Sequence, residues 1–177
     1  MRMYKSRKSI PVYKSQWMVV CEDLVTNEDG TIGMFNRITN VHNAATIVPI
    51  FEDGSLLMVE NYRHGVGATL LDLPGGMIRE KEEPTDTAKR ELLEETGYTC
   101  DALELINWFY TWPARATQRN FVFIATGLKK ISEQNLEDFE YIKACKITRE
   151  KAIQELKNGN IKNAVTISAL LHGYFVE

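Results

Sequence analysis

Cysteine is scarce in this chain: Cys21, Cys100 and Cys145 are the only three in 177 residues. They are odd in number, far apart and form no C-x-x-C pair. A disulfide framework and a zinc ribbon are therefore excluded, and free thiols in a reducing cytoplasm are expected. Long apolar runs are missing too. None approaches the ~20 residues of a membrane-spanning helix, and the basic start of the chain has no apolar stretch of the kind a secretory signal needs. Positive charge is not in excess either: the formal net charge is −3, so nucleic acid meets no general electrostatic attraction. Histidine occurs only as His42, His64 and His172, in no metal-binding or catalytic-triad spacing. Repeats, low-complexity tracts and linker-like stretches are absent. The length suits a chain with one sizeable core.

What is present is a succession of strand and turn signals. Arg2, Lys5, Arg7, Lys8 and Lys14 all precede the first acidic residue, Glu22, and this start is expected to be a frayed, solvated arm. Residues 16–26 read as a strand, Asn27-Glu28-Asp29-Gly30 as a hairpin turn, and a second strand follows through Ile38. Residues 1–43 are thus expected to form an arm and β-hairpin, and residues 44–177 the main domain. Residues 46–51 are nearly continuously apolar, as in a strand buried on both faces, and residues 56–62 return beside them. Residues 63–67 read as a flexible loop, 69–73 as a short strand, and Gly75-Gly76 as a turn. Strands over 102–110 and 118–126 flank a turn at 111–114. A polar, acidic loop over 129–140 leads to a last strand over 141–147. Thr148 and Asn163 cap two final helices. The second carries Ile167, Leu170, Leu171 and Tyr174 at helical spacing.

The densest information lies in residues 76–98. Pro84 suits a first helical turn, Asp86 places acid at the positive helix end, and Gly97 is a natural C-cap. Read as a helix, this segment puts Glu91, Glu94 and Glu95 at i, i+3 and i+4, on one face, with Ala88 and Leu92 marking an apolar stripe. Three like charges stacked this way repel, and a cation among them removes the repulsion. Oxygen donors of this kind suit Mg2+ or Mn2+ rather than zinc. Glu91 and Glu95, one turn apart, are the first choice as metal ligands, with Glu94 the third. Gly75 and Gly76 allow close backbone approaches, through which a carbonyl can reach a metal.

The same stretch resembles the Nudix box, G-x5-E-x7-R-E-U-x-E-E-x-G-U with U a bulky aliphatic residue. Gly76, Glu82, Arg90, Glu91, Leu92, Glu94, Glu95 and Gly97 match, and Tyr98 in the last slot departs from the pattern. At ordinary residue frequencies the fixed positions coincide by chance about once in 10^8 windows. The resemblance implies an α/β fold, an α/β/α sandwich with a mixed sheet, preceded here by the N-terminal hairpin or small sheet. It implies metal-dependent hydrolysis of a nucleoside diphosphate linked to another group. It also implies the Gly75 carbonyl as a further metal donor, Glu82 and Arg90 as residues that hold the ligands in position, and a general base on the acidic loop, Glu140 or Glu137.

Within that family, Pro113 lies fifteen residues after Tyr98, a spacing that resembles the ADP-ribose pyrophosphatase branch. Residues 60–67 and 71–76 resemble that branch's Q-Y-R and E-L-P-A-G segments, with Asp72 for the usual Glu and Gly75 for the usual Ala. By that resemblance Arg63 contacts a phosphate, for which a guanidinium fork is suited. The branch also exchanges its N-terminal hairpin between subunits, which implies a homodimer, and Trp17 and Phe35 fall where aromatics sandwich a nucleobase. The leading substrate is ADP-ribose, split to AMP and ribose 5-phosphate. The first alternative is a GDP-mannose or UDP-glucose type of sugar nucleotide. The second is a non-catalytic module that senses ADP-ribose, against which the intact Arg90, Glu91, Glu94 and Glu95 argue. The third is a triphosphate hydrolase, which the hairpin and Pro113 disfavour.

Overall fold

A computed structural model describes residues 4–39 and 41–175. The chain clusters into two compact units, Met1–His42 with Tyr110–Arg119, and Asn43–Phe109 with Asn120–Glu177.

The first unit is an antiparallel sheet of three strands in the order β1-β2-β3: β1 (Ser6–Lys14), β2 (Val19–Thr26) and β3 (Ile32–Thr39). The Asn27–Gly30 turn joins β2 to β3, closed by Gly30 N–H to the Asn27 carbonyl at 3.1 Å. The expected frayed arm is corrected here: residues 6–14 pair with β2 along their whole length. Long-range partners explain the difference. Ser9 donates to Asp23 on β2, and Arg7 lies 3.9 Å from the same carboxylate. Pro11 is tolerated because β1 is an edge strand with a register shift between Pro11 and Tyr13. Arg2 lies outside the described residues.

The second unit begins with β4 (Ala44–Pro49) and β5 (Leu56–Arg63), followed by a 3-10 turn over His64–Val66 that ends on Gly67. That turn stands where a flexible loop is expected. Next come β6 (Ala68–Asp72), β7 (Gly75–Met77), α1 (Pro84–Thr96) and β8 (Tyr98–Thr99). β9 (Ala102–Tyr110) and β10 (Arg119–Thr126) follow, though their turn-side ends belong to the first unit. β11 (Lys129–Lys130), β12 (Ile142–Ile147), α2 (Arg149–Lys157) and α3 (Ala164–Leu170) complete it, with a turn of π-helix over Leu171–Phe175. One sheet runs β7-β4-β10-β9, with β4 and β10 parallel and β7 antiparallel to β4; another is the antiparallel β12-β5-β6.

The central strands are buried on both faces, and alternate side chains feed two cores. Ala45, Ile47, Leu57 and Phe123 pack with Ala88 and Leu92 of α1. Val48, Leu56, Met58 and Val122 pack with Ala152 of α2 and with Ala169 and Leu170 of α3. Full burial of a side chain such as Leu92 contributes about 1.5–3 kcal/mol. This is the mixed-sheet α/β/α arrangement. Leu171, one of the four apolar residues at helical spacing near the end of the chain, is exposed.

Candidate active site

Helix α1 buries Thr87, Ala88, Glu91, Leu92, Glu95 and Thr96 on one face. Two carboxylates therefore share the apolar face that docks on the sheet, while Glu94 stands at its margin. Glu91 is 8% and Glu95 3% exposed. They face β7, which is a strand and not the expected turn: Gly75 and Gly76 pair with Thr46 and Ala45 of β4. Both glycines are needed for close approach. A Cβ on Gly76 would sit 2.2 Å from Glu91 Oε1, and one on Gly75 would sit 2.3 Å from the Ala45 carbonyl oxygen. Gly75 also donates its N–H to Glu95 Oε2 at 2.8 Å.

Arg90 gathers the remaining acids. Its Nε donates to Glu82 Oε1 at 2.8 Å and Nη2 to Glu82 Oε2 at 3.1 Å. Nη1 donates to Glu91 Oε1 at 2.7 Å and to Glu94 Oε2 at 2.9 Å, and Nη2 reaches the Met77 carbonyl. The fork geometry of a guanidinium makes such multiple pairing possible. Its partners titrate differently. The Arg90 hydrogen bond, above all, holds Glu82 down at about 2. Burial pushes Glu91 up against the opposing pull of Arg90. Burial also pushes Glu95 up to about 8, opposed by the Gly75 N–H. Among the described residues no three His, Cys, Asp or Glu side chains converge as a ready cation cage. The donor set is nevertheless all oxygen, buried and short of positive charge, which fits a hard divalent cation.

The acidic loop is fastened to the C-terminal end of α1. Ile131 and Ser132 donate to the Gly97 carbonyl, Asn135 to that of Glu94, and Gln134 to that of Glu95. Gly97 itself caps the helix in the left-handed region at φ 76°, and a Cβ there would meet the Ser132 carbonyl. The loop's two candidate bases differ. Glu140 is half-buried and its charge acts on both Glu91 and Glu95. Glu137 is exposed, donates its backbone N–H to Glu140 Oε2 at 3.0 Å, and pairs with Arg79 at 3.5 Å. Arg63, at the end of β5, donates to Asp72 through Nε at 2.8 Å and lies near enough to Glu95 to act on its charge.

Trp17, Phe35 and Pro113 belong to the first unit and are all exposed. Phe35 stands opposite Asp23, whereas Trp17 precedes Val19, which pairs with Thr39. Val19 and Asp23 are four residues apart on β2, about 14 Å at 3.4 Å per residue, and Trp17 lies two residues before Val19. Phe35 meets Tyr4, with ring centroids 5.7 Å apart.

Sequence reasoning overlooked Arg79, Gln134 and Asn135. It noted Asp72 only as a departure from the family pattern. Nothing in local periodicity marks the first three; the sole signal for Asp72 is an acid beside the Leu-Pro-Gly-Gly run.

A buried acidic helix face set against a glycine strand offers oxygen donors suited to a hard divalent cation. Comparison with known proteins agrees: the NUDIX domain model matches residues 41–170. The chain is 33% identical to the ADP-ribose pyrophosphatase of Bacillus subtilis (strain 168) over 128 residues, covering 72% of this chain and 69% of that protein. It is 32% identical to the methanol dehydrogenase activator of Bacillus methanolicus over 128 residues, with the same coverage of 72% and 69%. A solved structure described as an ADP compounds hydrolase shares the fold at a TM-score of 0.82 and 21% identity, covering 96% of this chain and 90% of that one. This chain belongs to the Nudix family, and it is a pyrophosphohydrolase. Hydrolases of this family use divalent metal. No helix among the described residues is long and apolar enough to cross a membrane.

Proposed function

We propose that the chain hydrolyses the diphosphate bond of ADP-ribose or a closely related nucleoside diphosphate sugar, releasing a nucleoside monophosphate and a sugar phosphate. The observation that carries this reading is the pair of buried carboxylates, Glu91 and Glu95, held against Gly75-Gly76 with Arg90 and Glu82 beside them. Glu91 and Glu95, with Glu94 and the Gly75 carbonyl, are the groups that would hold Mg2+, and Mn2+ suits the same donors. The ion supplies positive charge against the diphosphate oxygens and makes water more acidic. Glu82 and Arg90 keep the ligands in place. Arg63 steadies a phosphate group. Glu140 takes the proton from the attacking water as the bridging P–O bond breaks. Its action on both buried glutamates favours it over Glu137, whose nearest cation is Arg79. The similarity to an ADP-ribose pyrophosphatase supports the substrate class.

The proposal extends to a homodimer with exchanged N-terminal hairpins, in which Trp17 and Phe35 give aromatic surface to the nucleobase and Pro113 contributes to its recognition. Large exposed apolar side chains on the three-stranded sheet, among them Ile32, Met34 and Leu24, support a partner surface there. The free thiols of Cys21, Cys100 and Cys145 suit a cytoplasmic setting.

The test is a product-release screen over nucleotide sugars and nucleoside triphosphates with Mg2+, repeated with Glu95→Gln and Glu140→Gln. The expected result is cleavage of ADP-ribose ahead of triphosphates, abolished by Glu95→Gln and strongly reduced by Glu140→Gln. Preference for GDP-mannose or UDP-glucose would move the substrate within its class. Binding of ADP-ribose with no turnover of any compound would make the chain a sensor and sink the proposal.

A further inference from the structure

Asp72, the last residue of β6, is fully buried at 0% exposure. A carboxylate at that depth is costly unless paired, and an apolar residue would fill the place at no such cost. Its two oxygens are divided between two partners. Oδ2 accepts from Arg63 Nε at 2.8 Å and forms an ion pair with Nη2, 2.7 Å away. Oδ1 accepts from the Thr166 hydroxyl at 3.2 Å. Thr166 stands in the first turn of α3, 1% exposed, and the same hydroxyl accepts the Leu73 N–H at 3.3 Å. One side chain thus fixes two consecutive residues. Just beyond them the Pro74 carbonyl accepts from Ile47 N–H and the Gly75 N–H holds Glu95. Asp72 takes the Nε–H of the five N–H groups on the guanidinium and pairs ionically at Nη2, and the Arg63 side chain remains 40% exposed. Its inner edge is locked and its outer edge is open to a ligand.

We propose that Thr166 is a positioning residue of the site, acting from the helix layer opposite α1: through Asp72 it sets the pose in which Arg63 meets the diphosphate, and through Leu73 it fixes the backbone that leads to Gly75. The inference rests on the reading of Arg63 as a phosphate contact. It assigns α3 a role in substrate binding that passes through β6 and Arg63.

The experiment compares Arg63→Gln, Asp72→Asn, Thr166→Val, Thr166→Ser and the Thr166→Val/Arg63→Gln pair. Two measurements are made on each: steady-state kinetics on ADP-ribose with Mg2+, and calorimetric binding of ADP-ribose in EDTA. Arg63→Gln is expected to raise KM about tenfold. Thr166→Val and Asp72→Asn are expected to raise KM about fivefold with kcat within about twofold of the parent, and to weaken metal-free binding by the same factor. Thr166→Ser, which keeps the hydroxyl, restores both values. In the Arg63→Gln background Thr166→Val adds clearly less than its fivefold effect in the parent, because the route through Asp72 is already broken and only the contact with Leu73 is left to lose. If Arg63→Gln leaves KM unchanged, the phosphate reading of Arg63 is wrong and the inference goes with it. If Arg63→Gln acts but Thr166→Val and Asp72→Asn leave KM and binding at the parent values, or if the double variant is additive, the positioning role alone is overturned. Should Thr166→Val not fold, Asp72→Asn and Thr166→Ser decide the matter by the same readouts.

Discussion

Each unit buries a cluster of arginine and carboxylate, and the two clusters are balanced in opposite directions. On the three-stranded sheet a single acid, Asp23, receives Arg37 Nε at 2.6 Å and Nη2 at 3.1 Å, the Ser9 hydroxyl at 2.5 Å, and the more distant Arg7. The Arg37 hydrogen bond is the main reason its carboxyl stays down at about 2. In the second unit Arg90 serves Glu82, Glu91 and Glu94, with Arg79 3.9 Å from Glu94, and Glu95 has only a backbone N–H. Cation exceeds acid in the first cluster, and acid exceeds cation in the second. A cluster that is electrically complete holds a sheet together. One whose buried acids outnumber its cations costs stability, since an acid such as Glu95 must hold a proton well above the ordinary carboxylate range or carry unpaired charge, and its oxygens suit a cation from outside.

The sharpest way to break that contrast is Glu95→Gln. Turnover is expected to fall about a thousandfold, roughly 4 kcal/mol of transition-state stabilisation. The metal-free protein is expected to melt about 2–4 °C higher, because a buried carboxylate with one hydrogen bond becomes a neutral amide. A lower melting temperature together with retained turnover would contradict the surplus-charge account. Next in size, Arg90→Met leaves Glu82 and Glu91 without their cation and should cost about 3–5 kcal/mol in urea unfolding. The matching change on the other unit, Arg37→Met, should cost less, about 2 kcal/mol, since Arg37 is partly exposed, and should leave kcat per folded molecule unaltered. Equal costs would mean that the two clusters are of one kind. The smallest effect is one of pH. Asp23 ionises at about 2 in the folded chain against its ordinary 3.8. Its contribution to stability is therefore complete above pH 3.8 and is lost as the pH falls through 2. In Asp23→Asn the acid limb of the melting curve should be flatter over that window.

Much of the second unit was legible in the residues. Pro84, Gly97, Thr148 and Asn163 marked helix ends that the structure keeps. The apolar run at 46–51 marked a strand buried on both faces, because such a strand feeds two cores and cannot alternate. The glutamates fell on one helix face because 3.6-residue periodicity is local. The first strand was not legible. Five basic residues resemble a solvated arm until Asp23 and the edge of β2 are brought alongside. Gly75-Gly76 looked like a turn for a similar reason: the partner strand β4 lies far back in the chain. The acidic loop was legible as a source of carboxylates but its anchoring was not, because only the fold sets the Gln134 amide and the Asn135 backbone N–H against the carbonyls at the end of α1.

Spacing alone settled the helix, its caps and the row of Glu91, Glu94 and Glu95, since each depends on neighbours within a few positions of the chain. Which acid Arg90 holds, which one is left buried without a cation, and how Thr166 and Asp72 lock Arg63 were decided by the tertiary structure. Those outcomes depend on burial and on partners distant in sequence, and no local pattern records either.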